Sequence, residues 1–255
     1  MTIRLWLTRA GQHAEKVHAH FCQNLTLGHL QLDELFTTLR DKTHNLWVWV
    51  AFDPATQLIP ALQLGPRTQH MAYALLHAVT LVLAPGCSPV FTRDGLDLYF
   101  YAITVHFGQW VTDMVPGKTR WQVALDLLYG QVKKSYRRRR LARVERCMRL
   151  GDLSRLTERL KALGLSGTLN TAFVECTKLT LRHALAALSR RSWATAQLTG
   201  ELLAPLGWWR AYYHFCRPHL SLRLKVEVPR TPAMAAGLTD HVWSVQELLA
   251  FSVGP

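Results

Sequence analysis

The period of apolar and polar positions changes several times along this chain. Residues 8–21 (TRAGQHAEKVHAHF) read as a short amphipathic helix, preceded by Leu5, Trp6 and Leu7. From Leu25 the texture becomes strand-like. Residues 25–40 form one such run and carry Asp33 and Glu34, and residues 45–53 (NLWVWVAFD) form a second, rich in aromatic and β-branched side chains. A third, 57–64, follows a D-P-A-T turn. Three runs with short connections predict an antiparallel meander. Met71, Leu75, Ala78, Val79 and Leu83 then recur at helical spacing over 69–83, and Pro85-Gly86 ends the run. A short apolar strand, 89–92, runs into Arg93-Asp94-Gly95, and a helix over 96–107 carries Tyr99, Ile103 and Phe107 on one stripe. Residues 121–128 (WQVALDLL) suit either state and are read as a strand. This succession predicts an α/β fold with a mixed sheet.

The second half starts with a basic block. From Lys133 to Arg149 there are nine Lys or Arg and one acid, Glu145. With 151–165 it reads as a helical insert over about 131–165. A long helix follows over 169–191, with Asn170 or Thr171 as N-cap and Phe173, Leu181, Ala184 and Leu188 as its apolar stripe. Another spans 201–215, with Pro205 near its start, and the chain beyond 218 is Pro-punctuated and irregular.

Composition narrows the function classes. At 255 residues with 49% apolar and 18% charged positions, the chain can bury a sizeable core and is not disordered. Thirty Lys and Arg against 17 Asp and Glu give +13, which suggests a polyanionic partner, nucleic acid above all. The apolar stretch 71–83 is too short for a membrane span, and the N-terminus has no apolar leader segment, so a cytoplasmic protein is expected. Five scattered cysteines without a C-x-x-C argue against a disulfide framework. His18-x-His20-x-Cys22 and His214-x-Cys216-x-x-His219 hold metal-ligand types, but neither has the spacing of a tetrahedral zinc pair, so packing is their expected use.

Acids are scarce, so those in apolar frames stand out. Asp33 lies within a strand, Asp94 at a strand-to-turn junction, and Glu175 about one turn into a helix. Three such carboxylates can converge on hard divalent cations, which take oxygen ligands. Two ions would serve phosphodiester cleavage. Glu34 and Asp97 neighbour the candidates, but strand alternation and helix rotation point them elsewhere.

The motifs around these acids resemble the DDE transposases of the insertion-sequence-one type, within the retroviral-integrase-like superfamily. Gln31-Leu32-Asp33-Glu34-Leu35 is similar to the family's first motif. Asp94-Gly95-Leu96-Asp97-Leu98-Tyr99 is similar to the second, and Asn170-Thr171-Ala172-Phe173-Val174-Glu175, continued by Thr180 and Arg182, to the third. Arg217-Pro218-His219-Leu220-Ser221-Leu222 resembles the family's R-P-H-x-S-L tail. The resemblance spans about 25–223, with gaps of 61 and 81 residues between the acids. Cys176 and Lys178 depart from the Arg and Asn common there.

The resemblance implies a ribonuclease-H-like mixed five-stranded sheet, its first three strands antiparallel, with helices on both faces. It implies Asp33, Asp94 and Glu175 as catalytic residues and as ligands of Mg²⁺ or Mn²⁺. The reaction would be cleavage of transposon ends by water, then attack of the freed 3′-hydroxyl on target DNA. Lys133, Lys134, Arg137, Arg138, Arg139, Arg140, Arg143, Lys178 and Arg182 are the expected DNA contacts. Residues 1–24 would be the remnant of a DNA-recognition region, 25–223 the catalytic domain and 224–255 an irregular tail. A nucleoid-associated homo-oligomer is expected, with a separate DNA-recognition polypeptide as a further partner. The alternatives are a stand-alone Mg²⁺-dependent nuclease and a truncated, inactive copy that only binds DNA.

Overall fold

The structure, a computed structural model, describes residues 2–39, 44–95, 97–112, 118–138, 140–189, 196, 199–222 and 228–254. The chain is α/β, with a mixed six-stranded sheet flanked by helices on both sides. Strand β1 (His29–Leu39) pairs antiparallel with β2 (His44–Phe52), and β2 antiparallel with β3 (Ala61–Gly65), which is the expected meander. Strand β4 (Val90–Asp94) lies parallel to β1 on its other side and pairs in parallel with β7 (Tyr129–Arg137). Strand β8 (Arg140–Leu150) closes the order β3-β2-β1-β4-β7-β8.

Strand alternation sorts the core into layers. Leu30, Leu32, Phe91 and Tyr129 face helices α2 (Gln69–Val82) and α3 (Leu98–His106). The opposite face presents Leu35, Val48, Val50 and Phe52 to α5 (Ala172–Ala184) and α6 (Thr199–Ala211). On that same side Val90 and Val132 pack on α4 (Leu153–Ala162). Helix α1 (Ile3–Phe21) lies along α6 and buries Ala14 and Val17 against Phe215 and Trp243.

Three sequence expectations fail. The basic block is not helical. It is a β-hairpin, β7–β8, in which Lys133 pairs with Glu145 and Arg137 with Arg140. Nothing in it marks a turn: Arg138 sits at φ 48°, a left-handed position where Asn or Gly is usual. The sheet strand expected at 121–128 starts instead at Tyr129. Residues Thr119–Val123 (β6) pair with Gly108–Thr112 (β5) in a separate two-stranded ribbon. The sheet therefore has six strands rather than five. The C-terminal stretch also contains two short helices, α7 (Pro232–Ala235) and α8 (Val245–Ala250), the latter opened by a Ser244–Glu247 capping box.

Candidate functional site

Asp33 and Asp94 project from adjacent parallel strands. Leu32 pairs with Arg93, so each aspartate sits one residue further along, on the face that carries α5. Helix α5 lies against that face and contributes Glu175 and Lys178. A third strand adds Lys134, two residues beyond the Asp94–Val132 pairing. The three acids thus share one face at one end of the sheet, Asp33 and Asp94 near each other, but their carboxylate oxygens do not all lie within 4.8 Å of one another.

Local sequence explains the placement. Gln31 is fully buried on the same face of β1. Its amide nitrogen donates to the Asn170 carbonyl and its amide oxygen accepts from the Val174 N–H, both at 2.9 Å. That two-point grip fixes the first turn of α5 and with it Glu175. Asn170, one residue before the N-cap Thr171, adds a bond to the first turn, its side-chain oxygen accepting from Ala172 N–H at 3.2 Å. Nothing about Gln31 beyond its motif marked this role; the only signal was an amide at an inward position of an apolar strand.

Each acid meets a cation. The Lys178 ammonium donates to the Asp33 carboxylate, and Lys134 donates to Glu175. Thr171 Oγ1 also donates to Glu175, at 3.0 Å. Arg93, fully buried, pairs with Asp94 at 2.5 Å, and its guanidinium lies 4.6 Å from the Tyr99 ring centroid. Asp33 is the buried member, with its side chain 6% exposed, whereas Asp94 and Glu175 are 46% and 43% exposed. Burial pushes the Asp33 carboxyl up to about 6; Lys178 opposes the rise, while Asp94 and Glu34 add to it. Asp94 therefore lies close enough to raise the energy of an ionised Asp33. Carboxylate oxygens are donors of the type a hard divalent cation takes, but here each is balanced by a cationic side chain.

Glu34 points to the opposite face and pairs with Arg67 at 3.2 Å, and Asp97 pairs with Arg149 at 3.3 Å. Neither joins the cluster. Of the expected DNA contacts, Lys134 and Lys178 belong to it. Arg137, Arg138, Arg140 and Arg143 are exposed on the β7–β8 ribbon, with Arg143 paired to Glu145 at 2.9 Å. Lys133 is exposed on the other face beside Gly95, and Arg182 lies half-buried further along α5. Arg139 falls outside the described residues. A separate cleft of about 780 Å³, lined by Leu83, Cys87, His106, Phe107 and Val123, includes none of the three acids. No helix among the described residues is long and apolar enough to cross a membrane. Comparison of the chain with family models, curated proteins and solved structures finds no match.

Proposed function

We propose that this chain is the catalytic domain of a DDE-type transposase, which cuts DNA at transposon ends and joins the freed 3′ end to target DNA. The observation that carries the reading is the placement of Asp33, Asp94 and Glu175 on one face, from two adjacent parallel strands and a helix packed on that face over β1 and β2. The order β3-β2-β1-β4-β7 with its antiparallel first three strands supports a ribonuclease-H-like fold. The second β-ribbon and strand β8 are additions to that pattern.

Carboxylate oxygens are the donors that Mg²⁺ or Mn²⁺ takes, and Asp33, Asp94 and Glu175 would hold the ion once Lys178 and Lys134 release Asp33 and Glu175 and the carboxylates close on it. When bound, such ions activate an attacking oxygen and stabilise the leaving oxygen of an in-line displacement. The chain's own residues do the rest. Gln31 holds the start of α5 so that Glu175 stays opposite the aspartates. Lys134 and Lys178 orient the Glu175 and Asp33 carboxylates through their ion pairs. The exposed arginines of the β7–β8 ribbon extend beyond the cluster and supply sequence-independent contacts to phosphates. In the first step water adds to phosphorus and the 3′ oxygen leaves. In the second, that 3′-hydroxyl attacks a target phosphodiester and displaces another 3′ oxygen, with no covalent protein–DNA bond.

The test is incubation of the protein with Mg²⁺ or Mn²⁺ and duplexes carrying the DNA that flanks its gene. Nicked ends bearing 3′-hydroxyls, then joined strands, are expected. Asp33→Asn, Asp94→Asn and Glu175→Gln should each abolish both products and leave DNA binding intact. Cutting without joining would identify a nuclease. Binding without cutting, or variants as active as the parent, would overturn the catalytic reading.

A further inference from the structure

A second cluster of ligand-type side chains shares no residue with the acid site and lies within the packing of α1 on the body of the protein. His18 and Cys22 are four residues apart and so share one face of α1. His214 joins them from the π-helical turn Tyr212–Cys216 that follows α6. All three are buried, and one ligand atom from each lies within 4.8 Å of the other two. Neither sequence motif that contained these residues is used whole: the cluster takes His18 and Cys22 from one, His214 from the other, and leaves out His20, Cys216 and His219.

We propose that His18, Cys22 and His214 form a binding site for a soft divalent cation, Zn²⁺ being the best fit, that pins α1 to the rest of the fold. The donor chemistry selects the ion: a thiolate with two imidazoles suits zinc and not the hard cations of the acid cluster. The surroundings are those of a ligand set. His18 Nε2 donates to the Pro60 carbonyl at 3.2 Å, which leaves the Nδ1 lone pair facing inward. The Cys22 thiol donates to that Nδ1 at 3.3 Å. His214 Nε2 accepts from the Ile59 N–H at 2.9 Å, so its proton sits on Nδ1, and this buried atom has no hydrogen-bond partner. A buried donor without an acceptor, on the imidazole that completes a His/Cys cluster, is the feature that packing alone leaves unexplained.

Tetrahedral zinc bonds of about 2.0–2.3 Å space their ligands by about 3.5 Å, so loading requires about an ångström of closure. The protons balance. The ion takes the His18 Nδ1 lone pair as it stands. Cys22 binds as thiolate and releases one proton to solvent. The His214 proton moves from Nδ1 to Nε2, and because that would set two N–H donors 2.9 Å apart, the ring must turn away from the Ile59 amide as it binds the metal. Water completes the fourth position. Arg210 lies nearby and opposes a cation, but it is paired to Glu15 at 2.5 Å, and the Cys22 thiolate adds the compensating charge. This site is independent of the transposase reading, since none of its residues touches the acids.

Titration of the full-length protein with Co²⁺ tests it. Stoichiometric 1:1 binding is expected, with a thiolate-to-metal charge-transfer band, release of one proton per ion, and a shift of the Ile59 amide resonance. The band should vanish in Cys22→Ser and the affinity fall at least tenfold in His214→Gln. It should persist in His20→Gln, Cys216→Ser and Cys176→Ser. Zn²⁺, but not Mg²⁺, should displace Co²⁺ and raise the melting temperature. Absence of the band in the parent protein overturns the proposal, and that measurement needs no variant to fold. A band that survives Cys22→Ser overturns it as well.

Discussion

At the residue scale, the proposed chemistry rests on a few polar side chains held in apolar surroundings. Gln31 is the clearest case. Replacing it with leucine keeps the volume but strands the Val174 N–H and the Asn170 carbonyl, at a cost of about 1–3 kcal/mol. The first turn of α5 then loses its anchor, and a carboxylate displaced by an ångström costs about a hundredfold in rate. Gln31→Leu should therefore cut far more slowly with DNA binding unchanged, as read by cleavage and mobility-shift assays on the same preparation. Another buried group acts through pH. His29, at the start of β1, hydrogen-bonds Thr92 at 2.8 Å, and burial lowers its pKa from 6.5 to about 3. It stays neutral in the fold while the unfolded chain takes up a proton below pH 6.5, so its contribution is intact above that pH and is lost as pH falls towards 3. Between pH 8 and pH 5 this amounts to about 2 kcal/mol. Asp33, pushed up to about 6, acts with the opposite sign over this range, so the check is the difference in urea-melt slope between the parent and His29→Gln, which should be flatter by about the His29 amount. His18 and His214, also pushed down by burial, act with the same sign and should leave a residual slope.

At the element scale, the β7–β8 hairpin is the largest departure from expectation. Its basic run has no Gly, Asn or Pro to mark a turn, and Lys and Arg suit helices, so the local signal favoured the wrong element. What decides the matter is pairing: β7 completes the sheet beside β4, and β8 can then bond to β7 along its length. The consequence is functional. On a helix, consecutive arginines point all round; at the tip of a ribbon, Arg137, Arg138 and Arg140 are carried together away from the core. Changing Arg137, Arg138, Arg140 and Arg143 to alanine should weaken DNA binding and lower the slope of log K against log salt by roughly one for each phosphate no longer neutralised. An unchanged slope would place the DNA elsewhere. The fold should persist, because these side chains are exposed.

At the scale of the whole molecule, the two ends of the chain meet. Helix α1 lies so close to α6 that a Cβ on Gly11 would come within 2.3 Å of the Ala204 carbonyl oxygen. Backbone cannot yield there as a flexible side chain would. Gly11→Ala should therefore force the helices apart and cost about 1–3 kcal/mol, lowering Tm by roughly 2–4 °C per kcal/mol in a chain of this size. Calorimetry would check it; an unchanged Tm would mean that α1 and α6 can slide without penalty. The same close approach joins the N-terminal helix to the segment around Trp243 and Leu248, so residues at both ends share one core. The charge of +13 also belongs to this scale, since it draws polyanions to the surface as a whole.

The sequence by itself determined the elements whose pattern is local. The meander over 25–64, the helix at 69–83, the strand before Asp94 and the helix holding Glu175 all lie where alternation, helical spacing and caps put them. It also marked Asp33, Asp94 and Glu175, because carboxylates among apolar neighbours are conspicuous in a chain short of acids. Tertiary structure alone decided what depends on distant partners. Residues 133–149 became a hairpin because β4 offered an edge to pair with, and Trp121 entered a separate ribbon because β5 was its partner. Lys134 and Lys178 came to face Glu175 and Asp33, and His214 was brought to His18 and Cys22 across nearly two hundred residues. Periodicity records how a segment meets its own neighbours. It carries no record of which segment, folded from elsewhere in the chain, will supply the other half of a hydrogen bond, a charge pair or a metal site.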